Sequence, residues 1–188
     1  MELTQKTKVA FVGIDRKGLD SNIDKLNVEI YFNPDCSSAV QYDVIFTQMN
    51  YGLKMKWALE QREYDIYVEQ DHINDAIVSF LYYAFGFHLI GLDAYDILSN
   101  WGEKRKYYKF LLNTENFENE AKEVLDTVEK QYGISEGIQM LFNGDVGIAA
   151  VTDVVEYLYE KMEKNKPMIY TIGDYSQEEG VAEMNIWI

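Results

Sequence analysis

The sequence contains few side chains arranged for catalysis or metal binding. His72 is flanked by Asp71 and Asp75 at helical spacing, and these three side chains could ligate a metal ion. The same positions also form the acidic first turn of a predicted helix, which is a common arrangement at helix starts. Cys36 follows a Pro-Asp turn, with no histidine nearby in the sequence to activate a thiolate. We therefore predict no metal site and no catalytic residue among them.

A glycine turn near the start of the chain is the nearest approach to a phosphate-binding loop. Gly13 and Gly18 are separated by four residues that include Lys17. The glycine-rich phosphate and dinucleotide motifs are absent, and so are the serine-hydrolase and zinc-protease signatures. The turn is therefore predicted to be structural, with a phosphate site as the alternative.

Composition and charge exclude several classes of function. The chain has 188 residues, with 17 Lys and Arg against 32 Asp and Glu, so its net charge is −15. The electrostatic field of so acidic a protein repels the phosphates of nucleic acids and anionic membranes, so we expect neither as a partner. A hydrophobic content of 47% is ample for a folded core. The single cysteine and the lack of a long apolar segment predict a cytoplasmic protein.

The first half of the chain has an α/β pattern. Short apolar runs bounded by turn residues predict strands over 9–14, 28–32 and 43–48. Residues 50–64 are weakly helical in pattern, and 65–69 is predicted as a fourth strand or as the continuation of that region. A sheet with helices is therefore the expected architecture.

A long apolar helix is predicted in the middle of the chain, over residues 71–86. Asp71 can cap its start and Gly86 can end it. Nearly every face of this helix is hydrophobic or aromatic, which is typical of a helix buried between two layers. The 15 tyrosines of the chain, including pairs at 82–83 and 107–108, could mark either a docking surface or the margin of a core.

The second half of the chain has a clearer periodicity. Its order is β-α-β-α-β-β, with strands over 107–112, 137–142, 168–172 and 181–188 and helices over 119–132 and 149–162.

Residues 137–155, GIQMLFNGDVGIAAVTDVV, resemble a segment of the bacterial division GTPase FtsZ. In that family a strand runs into a glycine-aspartate turn and then into a helix, and Asp145, Val151 and Asp153 match its Asp, Val and acidic positions. The β-α-β-α-β-β order is also that of the FtsZ and tubulin activation domain. The resemblance implies a truncated FtsZ/tubulin-like α/β fold, with two small layers joined by a buried central helix.

Residues 71–98 resemble the central helix and synergy loop of the same family. Gly91, Asp93 and Asp96 fall on the loop N-L-D-F-A-D-V, with both aspartates at the family spacing and glycine in place of asparagine. In the family, the acidic side chains of this loop reach into the nucleotide pocket of the neighbouring subunit. The resemblance therefore implies that these residues form a contact face. Alternatively, Asp93 caps a short helix over 94–100 and Asp96 lies in its first turn.

The first 70 residues are similar to the family only in outline. Where the family has a glycine-rich loop that holds the nucleotide phosphates, this chain has Gln48-Met49-Asn50-Tyr51-Gly52-Leu53. Close approach of backbone amides to phosphate requires glycine, so the loss implies a protein without a nucleotide cofactor. The alternative is a divergent site for GTP and magnesium at Gly13, Lys17, Asn50 and Gly52.

The sequence thus predicts three regions and one preferred function. The regions are a reduced Rossmann-like segment (1–70), a central helix with the synergy-loop-like segment (71–103) and an FtsZ/tubulin C-terminal-like domain (104–188). We expect a non-catalytic interaction or assembly protein that binds a protein partner or itself. The alternatives are a GTP-binding relative and a small α/β ligand-binding protein or enzyme.

Overall fold

A computed structural model describes most of the chain, namely residues 6–19, 23, 25–35, 41–58, 61–86, 102–134, 137–162, 166–173 and 179–188. The predicted contact residues Gly91, Asp93 and Asp96 lie outside these ranges, as do Cys36 and the short helix expected over 94–100.

The described residues form a mixed sheet and three α-helices, which confirms the α/β class. The strands are β1 (Thr7–Val12), β2 (Val28–Phe32), β3 (Val44–Met49), β4 (Gly52–Trp57), β5 (Arg62–Tyr67), β6 (Lys104–Asn113), β7 (Ile138–Asn143), β8 (Met168–Ile172) and β9 (Val181–Trp187). The helices are α1 (Ile73–Phe85), α2 (Phe117–Tyr132) and α3 (Ile148–Lys161). Among the described residues, no helix is long and apolar enough to cross a membrane.

The nine strands form one continuous sheet in the order β2-β1-β3-β4-β5-β6-β9-β7-β8. Strand β1 is parallel to β2 and β3, and β3, β4 and β5 form an antiparallel meander. Strand β6 is parallel to β5 but antiparallel to β9, which in turn pairs with β7. The β5–β6 register covers only Asp65–Tyr67 on β5, so a short ladder joins the two halves of the sheet.

The weak helix predicted over 50–64 is wrong, because this region forms the hairpin strands β4 and β5. Leu53, Met55 and Trp57 are buried, while Lys56 between them is exposed. This alternation has the two-residue period of a strand, and sheet pairing on both sides of β4 overrides the weak helical pattern.

The second half of the chain confirms the predicted β-α-β-α-β-β order, as β6-α2-β7-α3-β8-β9. Its apolar core packs α2 and α3 against one face of the sheet, through residues such as Met140 and Ile186. The alternate residues Leu141 and Trp187 belong instead to the core around α1. Since neighbouring strand residues point to opposite faces, α1 lies on the face opposite α2 and α3.

Helix α1 is buried as predicted, with ten of its 13 residues removed from solvent. It ends at Gly86, whose backbone N–H donates to the Tyr82 carbonyl. Its start differs from the prediction, because Asp71 belongs to a preceding 3-10 turn and His72 takes the cap position without a side-chain cap bond. The aromatic contact between Phe80 and Trp187, with ring centroids 6.4 Å apart, connects α1 to β9.

Candidate functional site

The carboxyl ends of β1, β2 and β3 meet at one edge of the sheet. In parallel sheets this edge, where the strand order reverses, is the usual place for a ligand. Here the Gly13 amide donates a hydrogen bond of 2.8 Å to the Asn33 side-chain oxygen, so the turn after β1 is bound to the turn after β2. Gly13 has a φ of +72° and Asn33 one of +40°, and both residues serve this tight connection.

The turn after β1 continues into a single 3-10 turn rather than an α-helix. Asp15 accepts a hydrogen bond of 3.1 Å from the Lys17 backbone N–H and caps this turn. The Lys17 side chain is exposed. A phosphate site normally uses free amides at the start of a longer helix, and among the described residues neither β1 nor β3 leads into such a helix.

Strand β3 ends in a two-residue hairpin turn formed by Asn50 and Tyr51. Gly52 follows the turn with a φ of +136° and is buried against β5. A Cβ atom at this position would lie 2.4 Å from the Ile66 carbonyl oxygen and 2.8 Å from the Val68 nitrogen. Gly52 is therefore required for close packing of two backbones.

The structure brings only some of the candidate nucleotide residues to the same place. Gly13 and Asn50 follow adjacent strands at one edge, with Lys17 in the turn beyond β1, whereas Gly52 packs against β5. The edge is also connected to the 3-10 turn that precedes α1, because the Gln48 side chain donates to Gln70 over 3.2 Å.

A layer of buried polar side chains lies between α1 and the C-terminal half of the sheet. Strand register places all of its sheet members on the face that α1 covers. The layer consists of Ser79 on α1 with Arg105, Gln139, Asn143, Thr171, Glu183 and Asn185 on the strands. These seven are all of the buried polar or charged residues in the described part of the chain.

Lys109 joins this layer to the surface through two ion pairs. Its ammonium lies 2.6 Å from the Glu183 carboxylate and 3.0 Å from that of Asp75 on α1. Burial lowers the pKa of Lys109, but the two hydrogen-bonded carboxylates outweigh burial and hold this pKa above its ordinary value. His72 extends the chain of contacts, with its Nδ1 atom 3.0 Å from Asp75. No group of three or more His, Cys, Asp or Glu among the described residues is placed to hold a metal ion.

Tyr107 and Tyr83 are buried beside this network. The Tyr107 hydroxyl donates to the Asn185 side-chain oxygen over 2.6 Å. Burial raises the pKa of both phenols, and for Tyr107 the charges of Asp75 and Glu183 raise it further. Both hydroxyls therefore remain protonated in the fold at pH values where an exposed tyrosine ionises.

We expect these phenols to make the protein sensitive to alkali. A raised pKa in the folded state gives stability that is complete below the ordinary value of 10.0 and is lost as the pH rises above it. Tyr83→Phe removes one ionisable group, so the loss of unfolding free energy above pH 10 should become shallower by about 1.4 kcal/mol per pH unit. Urea titrations from neutral to alkaline pH measure this slope.

Tyr159→Phe is the matched control for that titration, because the Tyr159 side chain is 73% exposed. We expect this variant to keep the wild-type slope. Equal slopes for the wild type and both variants would contradict a buried, ionisation-resistant Tyr83.

A groove of about 430 Å³ opens where β5 leaves the sheet. Pairing of β5 with β6 ends at Tyr67 and Lys106, whereas β6 continues alongside β9 to Asn113. After β5 ends at Tyr67, the chain turns away from the sheet towards α1, and this leaves a gap beside β6. The groove is lined mainly by tyrosine and basic side chains, among them Tyr51, Tyr67, Tyr108, Tyr132, Lys106 and Lys109.

Two pairs of tyrosines line the groove. Tyr51 and Tyr67 have ring centroids 5.2 Å apart, and Tyr108 and Tyr132 are stacked at 4.6 Å. The Tyr51 hydroxyl donates to Asp65 over 2.6 Å, and this hydrogen bond raises the pKa of Tyr51 to about 12. Burial, followed by the contact with Tyr132, raises the pKa of Tyr108 to about 12.

Comparison with solved structures shows that this chain is similar to a known protein. No family model matches the chain, and no curated protein matches it. Among solved structures it is similar to a point mutant of a protein from M. jannaschii, at 16% identity and a TM-score of 0.48. That protein is FtsZ. The match covers 63% of this chain and 38% of the FtsZ chain, so the chain spans less than half of the FtsZ length.

The groove was not among the sites that the FtsZ-like motifs indicated. A signal for it is nonetheless present, because the run 104–109, KRKYYK, holds four basic residues in a chain of charge −15. The predicted tyrosine pairs divide between core and groove. Tyr82, Tyr83 and Tyr107 are buried, while Tyr108 is half-buried in the groove wall.

Proposed function

We propose that this protein is a non-catalytic interaction or assembly protein that binds a protein partner or a second copy of itself and needs no nucleotide. The observation that carries the proposal is the closed edge at the ends of β1 and β3. There the Gly13 amide donates its hydrogen bond to the Asn33 side chain, and β3 turns back as a hairpin at Asn50.

The chemistry of nucleotide binding explains why this edge matters. A triphosphate is held by several free backbone amides and by the positive end of a helix. An edge whose glycine amide is already bonded, in a protein of net charge −15, offers little compensation for the negative charge of the phosphates. The GTP-binding alternative, with magnesium and the residues Gly13, Lys17 and Asn50, is therefore an outcome for the test to distinguish.

Exposed apolar side chains on α3 support a role in binding other proteins. Ile148 is 60% exposed and Tyr159 is 73% exposed. They are eleven residues apart, which places them on nearly the same stripe of a helix. Large apolar side chains on one stripe are suited to a protein contact.

The test combines calorimetry with light scattering. We expect no heat of binding when GTP and magnesium are titrated into the protein. We expect the scattering mass to rise with protein concentration, or the turnover of an added FtsZ-type GTPase to change. Micromolar GTP binding would overturn the nucleotide-free proposal. A constant monomer mass combined with unchanged GTPase turnover would overturn the interaction role.

A surface variant tests the apolar stripe on α3. Ile148→Glu should weaken association by about tenfold, because a buried charge replaces an apolar contact. Thr127→Glu is the matched control, since it adds the same charge at an exposed position on α2. Equal association of the two variants would show that the stripe on α3 is not the contact.

A further inference from the structure

We propose that the groove beside β6 binds a small planar aromatic ligand that carries an anionic group, a carboxylate or a phosphate. This inference goes beyond the interaction role proposed above. It concerns the groove rather than the edge at β1–β3, and it requires no partner protein.

The charge of the groove favours an anionic ligand. The groove adjoins a smaller cavity of about 210 Å³, and together they are lined by Lys104, Arg105, Lys106 and Lys109 against the single acidic residue Glu69. The whole chain has the opposite balance, with 17 basic and 32 acidic residues. Asp75 and Glu183 neutralise Lys109, so the excess positive charge comes from Lys104, Arg105 and Lys106. A local excess of this kind on a strongly acidic protein attracts a small anion while the rest of the surface repels it.

Lys104 and Lys106 are the basic side chains available to a ligand. Lys109 is already bonded to Asp75 and Glu183, and Arg105 is buried. The ion pairs of the described residues do not include Lys104 or Lys106, and both side chains are exposed. The Lys106 ammonium lies over the Tyr132 ring, 5.5 Å from its centre, so this charge is held against the aromatic lining of the groove.

The aromatic lining of the groove favours a planar ring. Tyr67 is 38% exposed although its ring contacts Tyr51 in a tilted arrangement, and Tyr132 is 44% exposed although it is stacked on Tyr108. Each pair therefore keeps aromatic surface open to solvent, on which a planar ring can stack. The hydrogen bond from Tyr51 to Asp65 holds one pair in place before any ligand binds, which reduces the entropy lost on binding.

The size of the groove suits a small molecule. A volume of about 430 Å³, extended by the adjoining 210 Å³, falls within the range of small-molecule pockets. An aromatic ring between the tyrosines would place its acidic group within reach of Lys106. Aromatic stacking and a charge contact together select for a ligand that has both features.

Binding is tested with naphthoate as the probe, followed by ligand-observed NMR and by calorimetry on the full chain. For a ligand of this size we expect a Kd of about 1 mM or below. Naphthamide, which lacks the charge, and cyclohexanecarboxylate, which lacks the aromatic ring, should each bind at least about fivefold more weakly. Naphthyl phosphate distinguishes the two anionic groups.

Matched variants locate the site. Lys106→Gln should weaken naphthoate binding by about fivefold and Tyr132→Leu by about tenfold. Lys56→Gln, at an exposed position, and Tyr31→Leu, in a tyrosine pair on β2, make the same changes outside the groove, and they should leave the affinity unchanged. Thermal unfolding of each variant checks that the fold is retained.

Three outcomes would overturn the proposal. They are equal binding of the three probes, equal losses in the groove variants and their controls, and binding of an acidic peptide such as polyglutamate without binding of naphthoate. All of these measurements use dilute protein without a partner. A failure here therefore leaves the interaction role intact, and a failure of the association assays leaves this proposal intact.

Discussion

Gly52→Ala is expected to lower the free energy of unfolding by about 3 kcal/mol or more. The added Cβ would lie 2.4 Å from the Ile66 carbonyl oxygen and 2.8 Å from the Val68 nitrogen, both of which are backbone atoms. Backbone in a paired strand cannot rotate away as a flexible side chain can. The substitution must therefore separate β4 from β5 or distort the turn at Tyr51.

A second glycine serves as a control that distinguishes the effect of this backbone clash from the effect of backbone strain. Gly133, at the end of α2, has a φ of +69°, and beyond its chain neighbours no atom lies within 4 Å of the position that an added Cβ would take. Gly133→Ala therefore introduces strain without a clash, and we expect that variant to lose about 1 kcal/mol. Urea unfolding followed by circular dichroism gives both values. If the two variants lose the same unfolding free energy, the positive φ of Gly52, and not its close contact with β5, is the reason that glycine is needed there.

The measurement on Gly52→Ala also tests the alternative that this protein binds GTP. A glycine kept for phosphate binding can be replaced at little cost to stability, because its surroundings are open to solvent. A glycine kept for backbone packing cannot be replaced in this way. A large loss in Gly52→Ala would therefore assign this residue to the fold and leave Gly13, Lys17 and Asn50 as the residues through which that alternative has to be tested.

The elements with strong local patterns were predictable from the sequence. Helix α1 has apolar residues on nearly every face, and α2 and α3 each have one apolar stripe, so their burial follows from periodicity. The strand option over 65–69 overlaps the end of β5, whereas the helical pattern of 50–64 is wrong for β4 and the start of β5. The run LKMKW is short, and Lys54 and Lys56 have good helix propensity. What decides this segment is pairing with β3 and β5, which a local pattern does not contain.

The buried polar layer and the groove were beyond sequence reasoning for a related reason. Glu183 and Asn185 occupy every second position of a strand whose other face is apolar, which is also the pattern of a solvated face. Only the placement of α1 over this face shows that they are buried. The groove depends on where β5 stops pairing with β6, and strand register cannot be obtained from one segment alone.

Lys109→Met is the second substitution with a large expected effect, a loss of about 2–3 kcal/mol in unfolding free energy. Glu183 is only 5% exposed, and Lys109 is its ion-pair partner at 2.6 Å. Removing the ammonium leaves a buried carboxylate with Asp75 as a neighbouring like charge. Lys109 itself is 21% exposed, which places the loss below the upper range for fully buried pairs.

The pH dependence of this effect has a definite sign. Folding raises the pKa of Lys109 above its ordinary value of 10.5, so its stabilising contribution is complete below pH 10.5. The contribution is lost as the pH rises through the raised pKa. The difference between the wild type and Lys109→Met should therefore be constant from neutral pH to about pH 10 and should shrink above it.

A double-mutant cycle separates the ion pair from the packing of the lysine stem. Glu183→Gln removes the buried charge, so Lys109→Met combined with Glu183→Gln should recover most of the loss, with a coupling of about 1–2 kcal/mol. Lys122→Met is the matched control, since its partner Glu118 is 42% exposed and water screens such a surface pair, so this variant should lose clearly less than Lys109→Met. If the double variant loses as much as the two single variants added together, then Lys109 stabilises the contact between α1 and β6 through its alkyl chain. In that case Asp75 and Glu183 do not act together in holding α1 against the sheet.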